Sequence, residues 1–413
     1  MHNVIVANQR TSPEVGVSAR EAEILAALGE HLTNAEIAAR LFISVRTVES
    51  HVSSLLRKLQ ANDRRALAAM AANLHSGPTG GPTAVAALPS PLTARRIGDP
   101  LIESAALDQL TVIQLARGEV RAAAASALRR TELMAPLQVT ALTGLEFFDG
   151  FTMAADCAVA AGDLRAARRH AERLRDLPFH REEGHLATVR LLVVTALAGD
   201  WNETVVLAER FREGWERAGR PRAGNLSRGA HAAATVAGLR GDDDARTVWL
   251  DIADALKGVG TSLARSYLGR FFDAMLLLHR GLPQQAMGVL DTPPEQFTDW
   301  HNSEWRPWYA ALWAEAAALS GHEDAAARIQ RARLVTAGHP VATAIVDRAA
   351  ALTGRAGQGG DRDGLSAAAA AFADAGCRYQ WARTLVLLGG EQQARGESEL
   401  AGMGATTMVR PPD

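Results

Sequence analysis

One spacing constrains this chain more than any other feature: a glycine closes a helical stretch about every forty residues. The phrases LARGEV, VAAGDL, ALAGDW, GLRGDD, LHRGLP and ALSGHE put Gly118, Gly162, Gly199, Gly241, Gly281 and Gly321 at separations of 44, 37, 42, 40 and 40. The segments between them are rich in Ala and Leu, so each unit reads as helix, glycine turn, helix. A hairpin of that kind buries its apolar face only by stacking on neighbours, which makes a repeating helical array the expected architecture and all-α the expected fold class. After RAGQGGDRDG, which reads as a loop, segments such as CRYQWARTLVLLGGEQQARG supply a last pair of hairpins.

The phrase AAGDLRAARRHAERLRDLP resembles the second helix of a tetratricopeptide repeat. The resemblance implies a tetratricopeptide-like α-solenoid over residues 104–413, with units longer than the usual repeat of about 34 residues.

With 413 residues, 47% of them hydrophobic and 22% charged, the chain is long enough for two or three domains with real cores. Its two cysteines, Cys157 and Cys377, are far apart, so neither a disulfide framework nor a zinc site is expected. The N-terminal run MHNVIVANQRTSPEVG has no apolar signal region, and no stretch approaches the roughly 18 apolar residues of a membrane span, so the expected location is cytoplasmic. A formal net charge of −2 excludes coating nucleic acid through bulk charge. Locally the count differs: from Arg40 to Arg65 six cations (Arg40, Arg46, Arg57, Lys58, Arg64, Arg65) face two anions (Glu49, Asp63). That is a small electrostatic footprint of the sign DNA requires.

The first seventy residues hold two capping boxes, SARE (Ser18 with Glu21) and TNAE (Thr33 with Glu36), each announcing a helix. The first helix turns Ile24, Leu25 and Leu28 inward, and the second, over about 34–42, turns Ile37, Ala38 and Leu41. Ser44 can cap a third, in which Val48, Val52, Leu55, Leu56 and Leu59 fall on one stripe. Its other face is polar or cationic. A fourth, over about 64–74, has Leu67 and Met70 on one side. Two short helices joined by a three- or four-residue turn, the later one polar outside, form a helix-turn-helix; the same pattern also suits a plain bundle with a solvated face.

The run VSAREAEILAAL…LTNAEIAARLFISVRTVESHVSSLLRKL…DRRALA resembles the LuxR (GerE-type) helix-turn-helix family over Val17 to about Leu74. The agreement runs through Arg20, Glu21, Glu23, Asn34, Glu36, Ile37, Ala38, Thr47, Val48, His51, Val52, Lys58 and Leu59. The resemblance implies double-stranded DNA as a partner, with base edges met by Glu49, Ser50 and Ser53. It puts Thr33, Asn34, Arg46, Thr47, His51, Arg57 and Lys58 on the DNA backbone, and it implies a homodimer formed through the fourth helix. Two positions depart from the family pattern, His31 and Gln60, each standing where a glycine is common.

Composition then divides the chain: a flexible tail at 1–16, the DNA-binding domain at 17–76, a linker at 77–103 and the repeat domain at 104–413. The linker has eight Pro or Gly residues between Gly77 and Gly98 and shows no helical period. Within it, LPSPLT is similar to a phrase that introduces an ATPase domain in one LuxR subgroup. A phosphate-cradling loop needs a Gly-Lys pair, and neither Lys58 nor Lys257 directly follows a glycine. No ATP and no other cofactor is therefore expected, and the chain reads as the two ends of such a regulator without its motor.

Trp300, Trp305, Trp308 and Trp313 crowd into FTDWHNSEWRPWYAALW, where they either pack between repeats or line a ligand or partner surface. His180 and His185 have no third ligand in view and read as a surface loop, so no metal is expected. No catalytic constellation has supporting spacing. The function expected is a sequence-specific DNA-binding transcriptional regulator whose repeat domain senses a ligand or docks a protein. Two rivals stand beside it: a scaffold whose N-terminal domain serves mainly for dimerisation, and an all-α enzyme using the tryptophan-lined surface.

Overall fold

The computed structural model describes residues 19–29, 32–41, 45–59, 61, 63–75, 90–140, 143–178, 184–256, 267–297, 303–353 and 361–410. Among them the regular elements are all helices, and none is long and apolar enough to cross a membrane. The chain divides into two compact units, Met1–Ala105 and Ala106–Asp413.

The first unit opens with α1 (Ala19–Gly29), α2 (Asn34–Leu41), α3 (Val45–Lys58) and α4 (Arg64–His75). Ile24, Leu28, Ile37, Val48, Leu55 and Leu67 are at most 1% exposed and make its core, with Leu56 and Leu59 packed at the margin. α4 departs from expectation in one respect. Leu67 faces the core while Met70 is 39% exposed, because three residues along a helix is a 300° step and the core stripe here passes through Leu67, Ala68 and Ala71.

Residues 1–16 and most of the expected linker lie outside the described residues, as do Ser18, His31, Ser44, Gln60 and Trp300. From Ser90 onward the linker stretch is helical: α5 (Pro91–Ile97) and the start of α6 (Pro100–Ala116) fall within residues 77–103. The Ser90 hydroxyl accepts from the Thr93 amide at 3.3 Å, Pro91 takes the first turn and Gly98 ends the helix in the left-handed region. Seven residues are too few to display a hydrophobic period, which is why the caps alone reveal this helix.

The second unit continues through α7 (Val120–Met134), α8 (Gly144–Ala160), α9 (Leu164–Arg175), α10 (Gly184–Ala198), α11 (Trp201–Arg217), α12 (Ser227–Leu239) and α13 (Asp243–Leu256). It goes on with α14 (Tyr267–His279), α15 (Pro283–Val289), α16 (Arg306–Leu319), α17 (Ala325–Thr336), α18 (Pro340–Thr353), α19 (Arg362–Asp374), α20 (Arg378–Leu388) and α21 (Glu391–Gly402). All six glycines of the forty-residue spacing sit at helix–helix turns with positive φ. From α7 to α13 and again from α14 to α21 each helix packs on the next, and α8, α10, α12, α14, α16 and α18 also pack in series, first helix on first helix.

The array closes on itself. Trp308 Nε1 donates to the Val159 carbonyl at 2.9 Å, Cys377 Sγ to Leu197 O at 3.2 Å and the Thr406 amide to Leu239 O at 2.8 Å. The early turns thus meet the late helices, and one continuous core runs from Ala158 to Met408. Gly162 shows how tight the closure is: its φ is +78°, and a Cβ there would lie 2.5 Å from the His339 ring. Both the backbone and the neighbour demand glycine.

Trp305, Trp308 and Trp313 are 3%, 1% and 3% exposed and belong to this core rather than to a surface. α16 is buried from Pro307 to Ala317, Glu315 included, so its tryptophans Trp308 and Trp313 have no solvent-facing side. His185 is buried at the start of α10 rather than on a surface loop, while His180 lies outside the described residues.

Candidate nucleic-acid interface

The turn into α2 is built by the second capping box. The Thr33 amide and hydroxyl both donate to Glu36 Oε2, at 2.7 and 2.8 Å, and the Glu36 amide donates back to Thr33 Oγ1 at 3.3 Å. These bonds, the backbone one foremost, hold the Glu36 carboxyl below its ordinary range. Arg64, at the start of α4, reaches back thirty residues and donates to Asn34 Oδ1 and to the Leu32 carbonyl. Asp63 caps the same helix by accepting from the Ala66 amide at 2.8 Å.

α2 and α3 pack against each other, with three residues of sequence between Leu41 and Val45. On α3 the apolar stripe is buried, Val48 and Leu55 completely and Val52 to 8% exposure. The opposite stripe is open: Glu49, Ser53 and Arg57 are exposed at four-residue intervals, flanked by the half-buried Ser50, His51 and Ser54. Eight residues of helix span about 12 Å at 1.5 Å per residue, close to the width of the DNA major groove. The Ser53 hydroxyl donates to the Glu49 carbonyl at 2.8 Å, which leaves its lone pairs facing outward.

The expected site residues therefore fall in three groups. Glu49, Ser53 and Arg57 share one exposed face, with Ser50 and His51 at its edge. Thr33 and Asn34 lie together at the start of α2, Thr33 exposed and Asn34 half-buried under Arg64. The side chains of Arg46, Thr47 and Lys58 lie outside the described residues. Arg64 enters the sequence argument only as a count of charge; nothing in local spacing announces a partner thirty positions away.

Residues 16–71 match the family described as bacterial regulatory proteins, luxR family. Over 63 residues the chain is 40% identical to the transcriptional regulatory protein LiaR of Bacillus subtilis (strain 168), covering 15% of this chain and 30% of that protein. Over 45 residues it is 51% identical to the transcriptional regulatory protein LnrK of the same organism, covering 11% and 20%. The chain thus carries a LuxR-family helix-turn-helix domain, and it spans less than a third of the length of the curated relatives it matches.

Proposed function

We propose that this protein is a sequence-specific, double-stranded-DNA-binding transcriptional regulator that acts by binding equilibrium and not by catalysis. The observation that carries the reading is the face of α3: a carboxylate, hydroxyls and a cation exposed along a groove-sized span, over a fully buried aliphatic back. α3 enters the major groove with Glu49, Ser50 and Ser53 on base edges. Thr33, Asn34, Arg46, Thr47, His51, Arg57 and Lys58 meet the backbone. Asn34 supports that role, because Arg64 occupies its Oδ1 and leaves its amide hydrogens to donate to a phosphate.

Two copies dimerise through α4, whose exposed Met70 is an apolar residue available to a partner helix. The second unit is a tetratricopeptide-like array, closed on itself, that senses a ligand or docks a protein in the cytoplasm. A signal bound there changes DNA occupancy by favouring one arrangement of the reader over another.

Selection from random DNA by the full-length protein tests the reading. Enrichment of a two-fold related site is expected. For that site, Arg57→Ala should flatten the log–log salt dependence by about one, the slope carried by one phosphate contact. A protein whose first unit serves only to dimerise would enrich no sequence.

A further inference from the structure

Beneath the last helices, three charges lie out of water. Glu315 on α16, Arg348 on α18 and Arg383 on α20 are at most 2% exposed. Arg348 grips both carboxylate oxygens of Glu315 in a fork, Nε to Oε1 at 2.7 Å and Nη2 to Oε2 at 3.1 Å. Its remaining donors go to Thr384 Oγ1 at 2.8 Å and Gln380 Oε1 at 2.7 Å. Arg348 is thus saturated, and Glu315 is fully matched by it.

Arg383 is the surplus cation. Its hydrogen bonds all leave through Nη1 to the same carboxylate, at 2.9 and 3.0 Å, while its Nε is buried with no partner. Two guanidiniums against one carboxylate leave a buried positive charge uncompensated, an arrangement that proteins complete with an anion. His279, which also stands near Arg383, adds no charge, because burial keeps its imidazole neutral above about 4.

Arg383 forms part of the wall of a cavity of about 480 Å³. The rest of that wall is mainly apolar, with Leu278, Leu319, Leu387, Met408 and Val409 among it, and no other charged side chain lines it among the described residues. The C-terminal strand of chain after α21 closes one side, held by the Val409 amide donating to the His279 carbonyl at 3.1 Å. A chamber of this volume, apolar over most of its wall with one convergent cation, fits the general form of a small-molecule site.

We propose that this cavity binds a small molecule with an apolar body and a single carboxylate, the carboxylate pairing with the free edge of Arg383. The inference deepens the sensing role proposed for the second unit and rests on it for its purpose. Its geometry stands independently of DNA binding.

The test is calorimetric titration of the full-length protein with octanoate and with 4-phenylbutyrate, each against its neutral alcohol, 1-octanol and 4-phenylbutan-1-ol. At least one carboxylate should bind saturably at one site per chain, with its alcohol at least tenfold weaker. Arg383→Met should weaken the carboxylate at least tenfold. Because Arg348 still matches Glu315, that variant should keep or raise its thermal midpoint in the absence of carboxylate. Should Arg383→Met fail to fold, Ser320→Phe decides, since it narrows the cavity while leaving all three residues of the triad in place and should also abolish binding. Alcohols that bind as tightly as the acids, carboxylate binding that survives in both variants, or a wild-type protein that binds neither acid would overturn the proposal. DNA titrations on the same preparations, with and without the acid, separate the two readings: DNA bound but unmoved by a bound acid defeats the sensing role alone, and absent DNA binding leaves the calorimetry standing.

Discussion

The two units place their charges in opposite ways. In the helix-turn-helix the core is aliphatic, the acid Glu21 aside, and the chemistry of α3 points outward. In the second unit four arginines, Arg130, Arg190, Arg348 and Arg383, are at most 5% exposed and pair with carboxylates of other helices. The first arrangement offers its groups to a partner. The second uses them to fix which helix lies against which, with Arg190 and Arg383 left partly unpaired. Polar contacts between distant helices specify a packing that Ala- and Leu-rich surfaces alone would leave degenerate.

The most severe way to break that contrast is to remove the shared acid. Glu315→Ala leaves Arg348 and Arg383 buried side by side without a counter-charge, and should destabilise the second unit by about 3–5 kcal/mol. All eight tryptophans lie beyond residue 200, so urea unfolding followed by their fluorescence reports this unit without the first. A change under about 1 kcal/mol, the value typical of a solvated surface pair, would mean that the interior is wetter than its packing implies.

A second effect of similar origin depends on pH. His339 caps α18 by accepting the Ala342 amide at Nδ1, at 3.0 Å, and burial lowers its folded pKa from the ordinary 6.5 to about 3. It contributes stability that is present above pH 6.5 and lost as pH falls, since only the unfolded chain takes up the proton. Asp108 and Glu304, raised to about 7 chiefly by burial, work in the opposite sense: their stabilisation is full below their unfolded values near 4 and fades as pH rises toward 7. The opposing slopes flatten the wild-type profile between pH 4.5 and 6.5. His339→Gln keeps a capping acceptor and removes one slope, so its stability relative to wild type should rise on acidification by about 1.4 kcal/mol per pH unit, roughly 3 in all. Urea midpoints across that range check it; a constant difference would show that His339 titrates normally.

The same contrast explains what could be read in advance. Thr33 and Glu36 are three residues apart, and Val48, Val52 and Leu55 repeat on one helical face, so local order declares the helices, and the resemblance to the LuxR family singles out the helix-turn-helix from a plain bundle. The glycine turns declare themselves for a like reason, each needing only its own φ. Glu315 finds its arginines 33 and 68 positions on, and Cys377 meets a carbonyl 180 positions back. No local period records such meetings. In α16 the one interior charge, Glu315, is itself buried and so misleads about which face meets solvent, which is why its tryptophans suit a groove and a core equally in sequence.

On the outward-facing side, Glu49→Ala should have an effect of intermediate size. A carboxylate in the groove accepts from cytosine N4 but is repelled by phosphates, so its loss should relax selectivity at one base pair per half-site by about 1–3 kcal/mol. Binding to scrambled DNA should stay equal or tighten. Equal weakening on selected and scrambled DNA would remove Glu49 from the reading positions.

The smallest effect belongs to Ser53 and asks whether a group can serve both the helix and a partner. Its hydroxyl proton is committed to the Glu49 carbonyl at 2.8 Å, so toward DNA it offers lone pairs and no donor while that bond holds. Glu49, one turn earlier, likewise offers only acceptors, so on the proposed docking the exposed edge of α3 before Arg57 would meet base edges that donate, adenine N6 or cytosine N4. Back-bonding of this kind does little for a helix and slightly disfavours it, so Ser53→Ala should leave unfolding within about 0.5 kcal/mol of wild type. The same change removes one neutral acceptor from the groove and should cost about 1 kcal/mol of affinity for the selected site and nothing on scrambled DNA. Competition binding on site variants at the matching base pair separates the roles: a penalty only where an exocyclic amine faces position 53 supports acceptor reading. A shift toward guanine or thymine oxygens would instead show that the hydroxyl abandons the Glu49 carbonyl to donate, and that the bond holding it in the free protein is not kept on DNA.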